Sequence, residues 1–309
     1  MIFNSSKKIE QKLKDSIEEV LHKPVSEIMS KYIISLQKKE ELLHAAQIIV
    51  GEKVSCVVIK EEDNPIAVLT ERDFLKKAPL NSEKLESLTV QDLMSPKLVS
   101  IPPETTVDEA IPLLVKNNFR KLVVAKNDVM LGIVTQTDFV RLFNKFYEIL
   151  EVKTNDLLQI GAVMTKNVVT IEKGAKFSEA KKKMAEKEIG SIIVLDNNQI
   201  TGIITEYDVV AEIYDDPEKC NESIVDSIMT NPVMTVDETI TIFEANRLMI
   251  EDNVRRLPVS AENELKGIIT QTDMCRSIFY FLKAALWHIN NHDLKWEKLE
   301  KRVVEKRLI

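Results

Sequence analysis

The sequence predicts an α+β protein made of four copies of one β-α-β-β-α unit. Three observations predict it: residues recur four times at fixed offsets, alternate copies resemble each other, and apolar periodicity changes in the same order inside each copy. The anchor is a methionine preceded by an aliphatic residue, at Ile28-Met29, Leu93-Met94, Val163-Met164 and Ile228-Met229. Six residues on stands a hydroxyl (Ser35, Ser100, Thr170, Thr235), and sixteen on an alanine (Ala45, Ala110, Ala180, Ala245). At plus 38 come Ala67, Gly132, Gly202 and Gly267; at plus 41 Thr70, Thr135, Thr205 and Thr270; at plus 44 Asp73, Asp138, Asp208 and Asp273.

Spacings of 65, 70 and 65 residues separate the copies. Odd copies read Thr-Glu-x-Asp and even copies Thr-Gln-Thr-Asp, so a pair is the unit that duplicated. Two pairs also suit 309 residues at about 150 per domain. The expected organisation is an N-terminal helical extension over 1–23 and a first pair over 24–150, with copies at 24–80 and 88–148. A second pair follows over 151–280, with copies at 158–216 and 222–278, then a helical tail over 281–309.

The second copy shows the elements in order. Val99 and Ile101 give a short strand, broken by Pro102-Pro103-Glu104-Thr105. Val107, Ala110, Ile111 and Leu114 then recur at helical spacing. Lys121 to Ala125 and Met130 to Thr135 are β-rich runs around the turn Lys126-Asn127-Asp128. A second helix opens at Thr135 and carries Phe139, Val140, Leu142 and Phe143. A unit of about 60 residues buries little surface alone, so pairing is expected. Outside the copies, Ile9, Leu13, Ile17, Val20 and Leu21 form one helical stripe. Leu282, Leu286 and Ile289, then Trp296, Leu299 and Val303, form another, interrupted at Asn290-Asn291. The linker between pairs runs roughly from Tyr147 to Gln159.

Composition narrows the function. A net charge of −7 argues against nucleic-acid binding, which needs a basic face. Three scattered cysteines (Cys56, Cys220, Cys275) fit a reducing compartment, and no signal peptide or membrane-length apolar run is expected, so the reading is cytoplasmic with no membrane contact. His288 and His292 are four apart but lack further ligands, so no metal is assigned. With seven glycines and no phosphate-loop or dinucleotide fingerprint, no catalytic role or catalytic cofactor is assigned.

The string Gly267-Ile268-Ile269-Thr270-Gln271-Thr272-Asp273 runs from a strand end into a helix start. Helix N-termini attract phosphate, a glycine lets a ligand approach the strand, a threonine hydroxyl can bind an anionic oxygen, and a carboxylate can accept both ribose hydroxyls. The same Thr-x-x-Asp is also a helix capping box, which explains its recurrence without any ligand.

These strings at Gly132, Gly202 and Gly267, the strand Arg255-Arg256-Leu257-Pro258-Val259 and the first-helix alanine together resemble the cystathionine-β-synthase (CBS) domain family, over nearly all of Pro24 to Ser277. The resemblance implies that copies pack through their sheets into two Bateman modules whose clefts hold AMP, ADP, ATP or S-adenosylmethionine. It implies ribose on Asp73, Asp138, Asp208 and Asp273, phosphate near Thr70, Thr135, Thr205 and Thr270, and adenine near Ser35, Ser100, Thr170, Thr235 and Pro258. Cations expected at phosphate are Arg72, Arg120, Lys121, Arg141, Arg255, Arg256 and Arg276, with Gly190, Ser191 and Ala211 leaving the third copy electrostatically poorer. Ala67, and Val58, Val123 and Ile193 in place of the proline, depart from the pattern. The function read from this is a regulatory adenine-nucleotide sensor signalling to an unknown protein partner. An assembly scaffold with empty or vestigial clefts, or a sensor of S-adenosylmethionine or another adenosyl ligand, is the alternative, and a homodimer is left open.

Overall fold

The computed structural model describes residues 2–95, 99–127, 129–150, 158–262, 264–291 and 303. In the first copy β1 (Ser35–Gln37) leads to helix Leu42–Gly51, the hairpin β2 (Cys56–Glu61) and β3 (Asn64–Thr70), and helix Glu71–Lys77. The second copy has β4 (Ser100–Ile101), helix Val107–Asn117, β5 (Lys121–Lys126), β6 (Val129–Thr135) and helix Gln136–Phe143. The third has β7 (Thr170–Glu172), helix Phe177–Glu186, β8 (Ser191–Asp196), β9 (Gln199–Thr205) and helix Glu206–Asp215. The fourth has helix Ile242–Glu251, β10 (Arg256–Ala261), β11 (Glu264–Thr270) and helix Gln271–Asn290.

The first strand expected in the fourth copy is reduced to one bridge, between Val236 and Val259. Just beyond it the Asp237 carboxylate accepts from the backbone amide and hydroxyl of Thr239, at 2.9 and 2.6 Å, closing a local turn.

Local geometry repeats as closely as the sequence does. Each hairpin shifts register at one place, after Ile59, Val124, Val194 and Val259. Asn197 and Asn198 turn the third hairpin with φ of 51° and 65°, the positive values a type I′ corner requires. Each first helix is followed by a residue near φ 52°: Lys53, Asn118, Glu188 and Asn253. The left-handed C-terminal cap is thus supplied by side-chain-bearing residues where glycine is the usual choice.

Sheets join copies one with two and three with four. The residue after each anchor methionine crosses to its neighbour's hairpin. Ser30 exchanges backbone hydrogen bonds of 2.9 and 3.0 Å with Ile133, and Thr165 exchanges two of 2.9 Å with Ile268. Ser95 and Thr230 donate to Val68 and Ile203 at 2.9 Å. In the second pair, Glu264 meets Gln199 and the hairpins merge into one five-stranded sheet ordered β10-β11-β9-β8-β7.

Helices join the pairs to each other. One apolar core unites copies one and three, burying Leu42, Ile49 and Phe74 with Phe177, Val210 and Ile213. The other unites copies two and four, burying Phe139 and Phe143 with Phe243 and Phe281. Each such side chain contributes about 1.5–3 kcal/mol when fully buried. Every copy therefore meets one neighbour through sheets and another through helices, closing a ring of four. The N-terminal helix Ile2–Leu21 adds Leu13, Ile17, Val20 and Leu21 to the core of copies two and four. Val303 is buried in that core too; Trp296 and Leu299 lie outside the described residues.

Candidate site at the centre of the ring

The four Thr-x-x-Asp strings cap their helices. Each threonine is the N-cap, and its amide and hydroxyl both donate to Oδ2 of the aspartate: 3.0 and 2.7 Å at Asp73, 2.7 and 2.8 Å at Asp138, 2.7 and 2.7 Å at Asp208, 3.0 and 2.7 Å at Asp273. Asp73 Oδ1 also accepts from Ser95 Oγ at 2.7 Å and Lys77 Nζ at 2.9 Å, which fills its carboxylate. Burial pushes the Asp208 carboxyl up, against the pull of its Thr205 bonds.

The residue directly after each cap threonine reaches the middle of the ring. Glu71, Gln136, Glu206 and Gln271 are all buried, at 4, 9, 0 and 6 % exposure, although each is polar. Glu206 takes Arg72 Nε at 3.1 Å, Arg120 in a closer contact, and Arg256 at 3.6 Å. Glu71 takes Arg255 at 2.8 Å. Gln136 and Gln271 complete the centre as a reciprocal pair: Thr272 donates to Gln136 and Thr137 to Gln271, each at 2.8 Å. Burial by itself pushes the Glu206 carboxyl up, yet Arg120, Arg256 and Arg72 together bring it down to about 2. Burial pushes the Arg256 guanidinium down to about 10, against the pull of Glu206. What one partner gains the other largely loses, as is usual for buried ion pairs, so the network fixes positions more than it adds stability.

Two expectations are corrected here. The glycines at plus 38 do not clear a path for a ligand: a β-carbon at Gly132 or Gly267 would come within 2.6 or 2.5 Å of the sulfur of Met29 or Met164, and Gly202 faces Met229 in the same way. The repeated glycine and the repeated methionine are one packing feature, joining paired copies. Nor is the third copy electrostatically poor. Gly190 is small because Arg256 and Arg120 occupy its flank; a β-carbon there would lie 2.8 Å from Arg120 Nη2. Neighbouring copies supply the charge that the third copy lacks.

Two cavities flank this centre. One of about 340 Å³ opens between copies one and two, against Thr70, Arg72, Ser95, Lys121 and Thr135. One of about 190 Å³ opens between copies three and four, against Thr165, Gly190, Ser191, Arg256, Thr270 and Thr272. Arg120, Gln136, Arg255 and Gln271 wall both. The structure thus gathers most of the expected cations and three of the four threonines. Thr205, the four aspartates, Ser35, Ser100, Thr170, Thr235 and Pro258 line neither of these two cavities, and nor do Arg141 and Arg276, farther along their helices. Lys121 is engaged by Ser55, donating to its backbone oxygen at 3.1 Å and its hydroxyl at 2.9 Å.

Sequence reasoning missed Glu71, Gln136, Glu206, Gln271 and Gly190 as parts of the centre. Their signal was visible: copies with Glu after the threonine have small residues opening the second strand, and copies with Gln have Arg-Lys or Arg-Arg there. Among the described residues there is no cluster of metal-ligating side chains and no helix long and apolar enough to cross a membrane. His292 lies outside them.

Known proteins match this architecture. The family model for the CBS domain matches residues 25–79, 90–145, 160–215 and 225–280. The protein MJ1225 of Methanocaldococcus jannaschii is 32% identical over 191 residues, 58% of this chain and 68% of that one. MJ1404 of the same organism is 24% identical over 305 residues, 92% of this chain and 69% of that one. The solved structure of MJ1225 superposes with a TM-score of 0.73 at 18% identity, covering 82% of this chain and 99% of that one. A conserved protein from Pyrococcus horikoshii superposes with a TM-score of 0.54 at 18% identity, covering 83% and 100%. With four matches that together span most of its length, the chain belongs to the CBS domain family.

Proposed function

We propose that the chain is a regulatory sensor that binds an anionic adenine nucleotide, AMP, ADP or ATP, in the clefts beside the ring centre and reports occupancy to a protein partner through the packing of its two modules. The observation that carries this reading is the charge of the ring centre that the two cavities flank. Four guanidiniums (Arg72, Arg120, Arg255, Arg256) face two carboxylates (Glu71, Glu206), leaving a surplus of two positive charges between two cavities. A phosphate monoester carries about the complementary charge, and arginine forks bind phosphate bidentately. The same surplus disfavours the sulfonium of S-adenosylmethionine. In support, the structurally similar MJ1225 is described as a proposed archaeal homolog of g-AMPK.

In this reading Arg72, Arg120, Lys121, Arg255 and Arg256 hold phosphate beside Thr70, Thr135 and Thr270, with Thr205, Arg141 and Arg276 farther from it. Asp138, Asp208 and Asp273 take ribose, whereas Asp73 does so only by displacing Ser95 and Lys77. Adenine lies toward Ser35, Ser100, Thr170, Thr235 and Pro258. A cytoplasmic setting suits the free thiols of Cys56, Cys220 and Cys275. The test is mass spectrometry of small molecules released on denaturation, with calorimetric titration of AMP, ADP, ATP and S-adenosylmethionine. Copurified or titrated adenine nucleotide is the expected result; silence of all four at millimolar concentration would leave the scaffold reading.

A further inference from the structure

Arg120, Gln136, Arg255 and Gln271 belong to both cavities. No other arrangement of the ring centre is needed for one cleft to sense the other: the same two guanidiniums face the phosphate position of each. Arg120 is already held by Glu206 and Arg255 by Glu71. The first anion therefore draws on a limited surplus of two charges, and a second dianion would turn the centre negative.

We infer that the two clefts bind phosphorylated ligands antagonistically, so that the module with copies one and two fills first and its occupant weakens binding in the module with copies three and four. This rests on the nucleotide reading above and adds its regulation. The order follows from the walls the clefts do not share. The first cleft has about 340 Å³ and adds Arg72 and Lys121 but also Glu71 and Glu206; the second has about 190 Å³ and adds Arg256 with neither carboxylate, so room for a nucleotide rather than charge sets the order. The sign follows from charge: ligands of one sign drawing on the same cations compete even when they never touch. Such a coupling is reciprocal and commonly amounts to about 5- to 150-fold in affinity. Partly buried charges are incompletely screened, so the effect shrinks with salt without vanishing. A sensor built this way responds over a wider concentration range than one with independent sites, since the second cleft fills only well above the level that saturates the first.

The experiment is calorimetric titration of the full chain with AMP, with adenosine as the uncharged probe, on wild type and on Val68→Trp. Val68 lines the first cleft only, so tryptophan there occupies that cleft and leaves the unshared lining of the second cleft unchanged. Val99→Trp, on the same unshared wall, serves if Val68→Trp fails to fold. The inference expects the single remaining site of the blocked variant to bind AMP about tenfold more tightly than the second AMP binds wild type. It expects no such gain for adenosine, and a gain for AMP that narrows with salt and in Glu71→Gln, which frees Arg255 of the shared wall from its partner carboxylate. Equal AMP affinity in the blocked variant and at the second wild-type step overturns it, as does an equal gain for adenosine. If AMP and adenosine both bind wild type at one site only, the inference falls and the nucleotide reading stands. If no adenine compound binds, both fall.

Discussion

Replacing Glu206 by Gln tests whether the ring centre is organised by charge. The carboxylate is fully buried and takes Arg72, Arg120 and Arg256, which hold its pKa at about 2 against an ordinary 4.5. At about 1.4 kcal/mol for each tenfold change in proton affinity, the arginines favour the ionised carboxylate by about 3 kcal/mol, much of it offset in the intact network by their own burial, a cost left exposed when the carboxylate is removed. Because the folded pKa is depressed, that contribution is fully present above pH 4.5 and is lost as pH falls toward 2. Glu206→Gln keeps the shape and the amide found naturally at Gln136 and Gln271 but leaves three guanidiniums facing a neutral group. Urea unfolding of wild type and variant between pH 7 and pH 2.5 is the assay. The variant is expected to be about 3 kcal/mol less stable at pH 7, the low end for breaking a buried pair, and the difference should shrink as the buffer becomes acidic. A variant equal to wild type at pH 7, or a difference that does not depend on pH, would refute the reasoning.

Gly190→Ala forces the guanidiniums of Arg256 and Arg120 off Glu206 and is expected to destabilise by about 1–3 kcal/mol, read by denaturant midpoint, with weaker AMP binding by calorimetry. Gly267→Ala presses on Met164 and on the Thr165 carbonyl, 2.9 Å from the added carbon; it should destabilise by a similar 1–3 kcal/mol, and Met164→Ala in the same chain should recover part of the loss. Asp273→Asn keeps a capping side chain, so apo stability should fall by less than about 1 kcal/mol while adenosine affinity falls clearly; equal affinity would make the aspartate a cap only. Lys53→Gly relieves an exposed left-handed residue with φ 53° and should raise stability by about 0.5–1 kcal/mol in the same unfolding assay.

Much of this was legible in the residues themselves. Spacing and periodicity are local properties, and they determined the four units, their strands and helices, and the pairing of one with two and three with four. The threonine and aspartate columns are equally local, since a capping box closes over four residues. The short strand expected at Thr235 is the element that did not form, leaving one bridge between Val236 and Val259.

The tertiary structure decided what depends on contacts between copies. No periodicity says that copy one packs its helices against copy three, because either helical face could bury against either module. The glycines at plus 38 looked like room for a ligand until Met29, Met164 and Met229 were seen filling it from the paired copy. Gly190 looked like a missing charge until Arg120 and Arg256 were seen occupying its side. The alternation of Glu and Gln after each threonine carried the charge plan of the centre, but reading it requires knowing that four residues about 65 to 70 apart in sequence meet at one point. Electrostatic complementarity acts through space, and only the fold brings Glu206 within reach of arginines from three other units.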